Sequence, residues 1–318
     1  MKARAREQLN SLLRQMSEMD HDNAWELYEA AGYPVDLNSA LLAQFCRTRR
    51  VSDHSRAKPL FARIPAESRS SKDYLHMSIS YANADNLQDM KRTYLEARIN
   101  GAADSCWAFT FARLLNSGKV SDAQEVWELR PKAFDDQWAD LVASHLDAFS
   151  LRKSILTLTT FLTDLKDDTS ARQFTSSLID IAFASPKLVE DTSVETLLLI
   201  LRKHKDLGVV NRDHYYQLIE TLTSSEIRST FIKSIVIYRN FRWQMSSEVP
   251  PAKTLRLILH GLVRFDITSG IEYILNEIAH FYGKPSKGDY RRSLSVLARA
   301  GDVTRVNEMF GMLVKNHG

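Results

Sequence analysis

A chain of 318 residues, 44% apolar and 25% charged, has the composition of a folded globular protein and excludes wholesale disorder. Its net charge of +3 is too small to argue nucleic-acid binding by itself, and its greasiest stretch, Thr196–Leu201, suits a buried helix and is too short to span a bilayer. Two cysteines, Cys46 and Cys106, lie far apart in apolar surroundings. They support neither a disulfide framework nor a metal site and point to a reducing compartment.

The opening MKARAREQLNSLLRQMSEMD is basic and amphipathic before turning acidic at Glu18 and Asp20. A transit peptide is poor in acids, so Glu7 speaks for a structural helix. The segment NAWELYEAAG (Asn23–Gly32) predicts a helix with a capping start and a glycine stop. Further glycine stops are expected at Gly101, Gly208 and Gly283, and Pro250-Pro251 is expected to break the chain before AKTLRLILHGLVRF. The aspartates of DLKDDTS (Asp164–Ser170) read as a helix cap, supplied by Asp168 and Thr169, in preference to a cation site. Apolar residues recur at i, i+3, i+4, i+7 throughout, and period-two alternation is nearly absent. The expected class is all-α.

The hairpins share a register. An apolar anchor opens helix one, a turn residue follows eleven positions later, a packing residue at sixteen and a large apolar residue at twenty. This gives Leu41, Ser52, Ala57 and Phe61; then Tyr74, Asp85, Met90 and Tyr94; then Trp107, Gly118, Ala123 and Trp127. Further on come Tyr215, Glu226, Phe231 and Ile235; Leu255, Asp266, Ile271 and Leu275; and Tyr290, Gly301, Val306 and Phe310. Tyr28, Phe61, Tyr94 and Trp127 stand 33 apart, Phe161 follows 34 later, and Phe310 lies 35 after Leu275. A hairpin patterned in this way exposes an apolar face that only a neighbouring hairpin can cover, so the units are expected to stack as a solenoid. Residues 1–318 then form one array, with clear units near 38–70, 71–103, 104–134, 252–284 and 287–318 and a degenerate stretch at 135–251. Trp107, Trp127, Tyr74, Tyr94 and Phe310 are expected between helices, with Gly118 and Gly301 in turns. The last hairpin has no polar outer cap and reads as a segment of a longer array, which would leave Met309, Met312 and Leu313 exposed.

Four residues after the anchor stand Phe45, Ser78, Phe111, Leu259 and Leu294. Four of these are bulky, which disfavours tetratricopeptide repeats, whose first helix packs through a small residue at that position. The stretches LARAGDVTRVNEMF and LLNSGKVSDAQEVW follow instead the pattern L-x-K-x-G-x-x-x-x-A-x-x-L-F. From about Asn23 onward the chain resembles the pentatricopeptide repeat family, in the divergent form of its fungal mitochondrial members. The resemblance implies a right-handed α-solenoid whose first helices line a concave groove for single-stranded RNA, with about one base per repeat. It also implies a home in the mitochondrial matrix and a role in translation activation, stability or processing of mitochondrial mRNA. The position just after the anchor, usually Asn, Ser or Thr in that family, holds Leu42, Leu75, Ala108, Arg256 and Arg291, so no modular base code is legible.

Nine residues after the anchor stand Arg50, Asn83, Asn116, Ser224, Arg264 and Arg299, where the family often places Lys beside the phosphate track. Two readings stay open: a ladder that neutralises phosphates, or helix ends that favour cations for dipole reasons. The densest basic stretch, RTRRVSDHSRAKPLFAR, holds Arg47, Arg49, Arg50, Arg56, Lys58 and Arg63, and suits a nucleic-acid entrance and a solvated charge run equally. Tyr215 is expected in the core, with Tyr216 open as a stacking ring. Phosphate-loop, dinucleotide and zinc-protease motifs are missing, so neither an enzyme nor a cofactor nor a metal is expected. Single-stranded RNA is the expected partner. The competing reading is a protein-binding scaffold, such as a mitochondrial complex assembly factor or a mitoribosome-associated subunit. No membrane span is expected.

Overall fold

The computed structural model describes residues 1–131, 137–165, 167–245 and 247–317. The last residues of the expected units near 104–134 and 287–318, and the first of the stretch 135–251, lie outside the described residues. The described chain is all-helical, with no strand among its residues. It groups into two compact units, Met1–Lys166 and Asp167–Gly318.

The first unit contains α1 (Lys2–Leu13), α2 (His21–Ala30), α3 (Asn38–Phe45), α4 (Val51–Arg63), α5 (Ser71–Asn83), α6 (Leu87–Ile99), α7 (Asp104–Asn116), α8 (Val120–Glu128), α9 (Gln137–Ser144) and α10 (Ala148–Asp164). The pairs α1–α2, α3–α4, α5–α6 and α7–α8 are hairpins, α3 packs on α5 and α5 on α7, and α9 and α10 both pack on α7. The second unit contains α11 (Thr169–Ala184), α12 (Pro186–Glu190), α13 (Val194–Asp206), α14 (Arg212–Thr223), α15 (Arg228–Gln244), α16 (Ala252–Arg264), α17 (Ile271–Tyr282), α18 (Lys287–Arg299) and α19 (Val303–His317). Here α14–α15, α16–α17 and α18–α19 are hairpins, and α11, α14, α16 and α18 pack each on the next. The amphipathic start forms α1, as its pattern predicts, and Pro250-Pro251 directly precede α16.

Local chemistry sets these boundaries. Ser70 and Ser286 cap α5 and α18, each exchanging hydrogen bonds with the aspartate three residues on, which satisfies amide donors that a bare helix start leaves unpaired. Asp168 caps α11 as expected, accepting from the Ala171 amide. At the eleventh position of the register, Asp85, Gly118, Asp266 and Gly301 all adopt left-handed backbone, with φ of 55°, 70°, 51° and 72°. That conformation turns the chain from helix one into helix two. Ser52 departs from the expectation: it lies inside α4. The first helix there has eight residues where α5 has thirteen, so the turn falls earlier.

Trp107, Trp127, Tyr74 and Tyr94 are fully buried, as the register predicts. Trp107 stacks on Phe111 with ring centroids 5.0 Å apart, and Trp127 and Phe161 meet edge to face. The Trp107 indole donates to the Val126 carbonyl across the hairpin. Tyr215 and Tyr216 are both buried, so neither ring is free to stack on a base. Phe310 corrects the expectation: its side chain is 57% exposed, whereas Met309, expected outside, is buried. The two are neighbours in sequence and point about 100° apart around the helix; α19 packs on α18 through Met309, and Phe310 faces away.

Candidate nucleic-acid interface

Of the six side chains nine residues after the anchor, Arg50, Asn83, Arg264 and Arg299 reach back to the preceding hairpin. The Asn83 amide at the end of α5 donates to the carbonyls of Cys46 and Thr48, at 3.2 and 3.1 Å, beyond the end of α3. Arg264 at the end of α16 donates to the carbonyls of Thr223, the last residue of α14, and of Ser225 just beyond it, at 3.0 and 2.6 Å. Helix C-termini leave carbonyls unpaired, and each donor fastens one hairpin to its predecessor by filling them. Arg299 pairs with Asp266 in the preceding turn. Arg50 bonds the Glu18 carbonyl and the Asp22 carboxylate. Asn116 is half-buried, and the Ser224 hydroxyl donates to Glu220 within its own helix.

Arg50 belongs to a larger network in the first unit. The buried Asp53 carboxylate lies 2.8 Å from His21 Nδ1, accepts from the Thr48 hydroxyl at 2.6 Å and has Arg56 at 3.5 Å. Arg56 also pairs with Asp22 and lies over the rings of Trp25 and Phe45. Hydrogen bonds from Arg50 and then Arg56 hold the Asp22 carboxyl below its ordinary range. Lys58 lies over Tyr81, and Arg63 over Tyr33. Four cations of the densest basic stretch are therefore engaged within the protein, and Arg47 and Arg49 remain exposed.

The positions just after the anchors differ in access, and Tyr216, after the anchor Tyr215, is buried. Leu42 and Ala108 are fully buried and Leu75 is half-buried, so a ligand has no access to the first two. Arg256 and Arg291 are exposed and make no ion pair or hydrogen bond among the described residues. They occupy equivalent places on α16 and α18, which pack on each other. One turn further along the same faces come His260 and Ser295, both exposed, and one turn further again Arg264 and Arg299. Lys253, at the start of α16, is exposed and pairs with Glu220 of α14 at 2.5 Å. The register singles out Arg256, Arg264, Arg291 and Arg299. His260 and Lys253 escape it, and the i, i+4 spacing from Arg256 is the signal that finds His260. The stripe offers two free guanidiniums, a partly engaged pair and an imidazole, which suits phosphate oxygens and reads no base.

No group of His, Cys, Asp and Glu residues able to hold a metal ion occurs among the described residues, and no described helix is long and apolar enough to cross a membrane. No family model matches the chain, and no curated protein matches it.

Proposed function

We propose that this chain is a non-catalytic, right-handed α-solenoid of pentatricopeptide type that binds single-stranded RNA through its phosphates. Support comes from the stacking of successive first helices, the left-handed residue at a fixed place in four turns, and the buried aromatics Tyr94 and Trp127 on two of the second helices. The observation that carries the binding is the pair Arg256 and Arg291, exposed, unpaired and in equivalent places on adjoining first helices. Assignment to mitochondrial transcripts, and to their translation, stability or processing, rests on the family resemblance. Binding is expected to be weakly sequence-dependent, because arginine contacts to phosphate position a strand without specifying its bases.

The experiment is a salt titration of binding to an unstructured RNA. Each phosphate neutralised on a single strand contributes about 0.7 to the slope of log affinity against log salt. Arg256→Gln with Arg291→Gln is expected to flatten that slope by about 1.4 and leave base preference unchanged. An unchanged slope and affinity overturns the assignment.

A protein-binding scaffold is the second reading. It is favoured by the engagement of Arg50, Asn83 and Arg264 within the chain and by the burial of Leu42 and Ala108.

A further inference from the structure

Helix α15 has two faces. Phe231, Ser234, Tyr238 and Phe241 are buried, whereas Ile232, Val236, Arg239 and Trp243 are exposed, Trp243 at 84%. The exposed set runs at i, i+4, i+7 and i+11, the four-three-four spacing by which one helix presents a seam to another. It covers about 16 Å of helix. The helix carries Arg228, Lys233, Arg239 and Arg242 and no carboxylate. Two of these cations are fixed inside the fold: Lys233 donates to the carbonyls of Val189, Glu190 and Thr192, and Arg242 pairs with Glu277 at 2.9 Å. Arg239 sits in the middle of the exposed seam with no ion pair or hydrogen bond among the described residues, its guanidinium close to the turn at Gly270. Beside it opens a cavity of about 250 Å³ whose walls include Tyr273, Leu297, Met309 and Met312.

We propose that this face docks an amphipathic α-helix of another protein. The partner's apolar stripe lies on Ile232, Val236 and Trp243, an Asp or Glu within that stripe meets Arg239, and a large neighbouring side chain enters the cavity. Seam spacing and charge choose this occupant. A single charged residue in an otherwise apolar seam fixes the register and the partner, and an unpaired guanidinium there demands a carboxylate opposite. An anionic membrane would have to approach Glu272 and Glu308 at the cavity. A second copy seated seam to seam would bring two Arg239 side chains together. The site lies on a second helix and shares no residue with the Arg256–Arg291 stripe, so it stands or falls apart from RNA binding.

The test uses the whole chain and three probes: a synthetic helix of about four turns with leucines in the seam and one Glu opposite Arg239, the same helix with Lys for that Glu, and vesicles rich in phosphatidylserine. The Glu helix is expected to bind saturably at one per chain, roughly tenfold tighter than the Lys helix. Arg239→Glu is expected to reverse that preference, and Trp243→Ala to weaken the Glu helix about thirtyfold. Both variants change exposed residues, and their melting curves should match the parent's. Failure of the Glu helix to bind, equal binding of the two helices, or indifference to Trp243→Ala overturns the proposal. So does a blue shift of Trp243 on vesicles, or Trp243-dependent dimerisation, without helix binding; the face would then belong to a lipid surface or to a second copy.

Discussion

A Cβ added to Gly261 would sit 2.1 Å from Cε2 of Phe231, so α16 approaches the α15 ring as closely as a backbone without a side chain allows. Glycine inside a helix costs about 1 kcal/mol relative to alanine, and here the close approach requires it. Gly261→Ala is therefore expected to destabilise the protein by about 1–3 kcal/mol despite its better helix propensity. Combining it with Phe231→Leu should recover part of the loss, a coupling that denaturant midpoints of the two single variants and the double variant measure directly.

Arg264 and Arg299 hold equivalent places but should respond differently to mutation. The Arg264 side chain is 26% exposed and fills backbone carbonyls, whereas the Arg299–Asp266 pair is more than half exposed on both sides. Arg264→Gln is expected to cost about 1.5–3 kcal/mol and Arg299→Gln at most about 1 kcal/mol. Equal losses in urea melts would show that the carbonyl contacts contribute nothing special.

The left-handed turns give a third contrast. Gly118 and Asp85 share a backbone conformation, and a side chain at Gly118 would meet nothing within 4 Å. Gly118→Ala should then cost about 1 kcal/mol from backbone strain alone. Asp85→Gly relieves similar strain but loosens the unfolded chain, and should raise stability by about 0.5 kcal/mol. Thermal midpoints should move in opposite directions.

Acidification should weaken the first unit. Burial lowers the His76 and His145 pKa values from 6.5, helped by Arg47 and Arg113 respectively, and burial likewise lowers that of His54. A histidine whose folded pKa lies below its unfolded one binds more protons when unfolded, so stability is intact above about pH 6.5 and falls as pH drops through it. Melting of the parent at pH 7.5 and 5.5, beside His76→Gln with His145→Gln, should show a flatter pH dependence in the variant.

Burial also raises the Cys46 thiol to about 12 and shifts Cys106 in the same direction. Neither should react with iodoacetamide in the native protein at neutral pH, and both should react once it unfolds. Rapid native labelling would contradict the buried placement.

Much of the fold was legible because helical periodicity, capping residues and left-handed turns are written locally. Asp168, Gly118 and Trp127 needed only their own neighbourhood to be placed correctly. Phe310 shows the limit, since an anchor is buried only where another helix covers it. The ladder shows another: Asn83 and Arg264 bond to main-chain carbonyls, and a carbonyl looks the same in every sequence. Ala108 is buried on α7, on which α9 and α10 pack, and those two helices come from the stretch where the repeat pattern fades.

The fastenings made nine residues after an anchor point upstream. Arg50 binds residues 18 and 22, Asn83 binds 46 and 48, Arg264 binds 223 and 225, and Arg299 binds 266. A hairpin leaving the ribosome thus finds its partner groups already made and already outside. These particular fastenings can close one after another as synthesis proceeds from the N-terminus. A stalled nascent chain should therefore already hold the fastenings of its completed hairpins, and translation itself supplies the order in which they form.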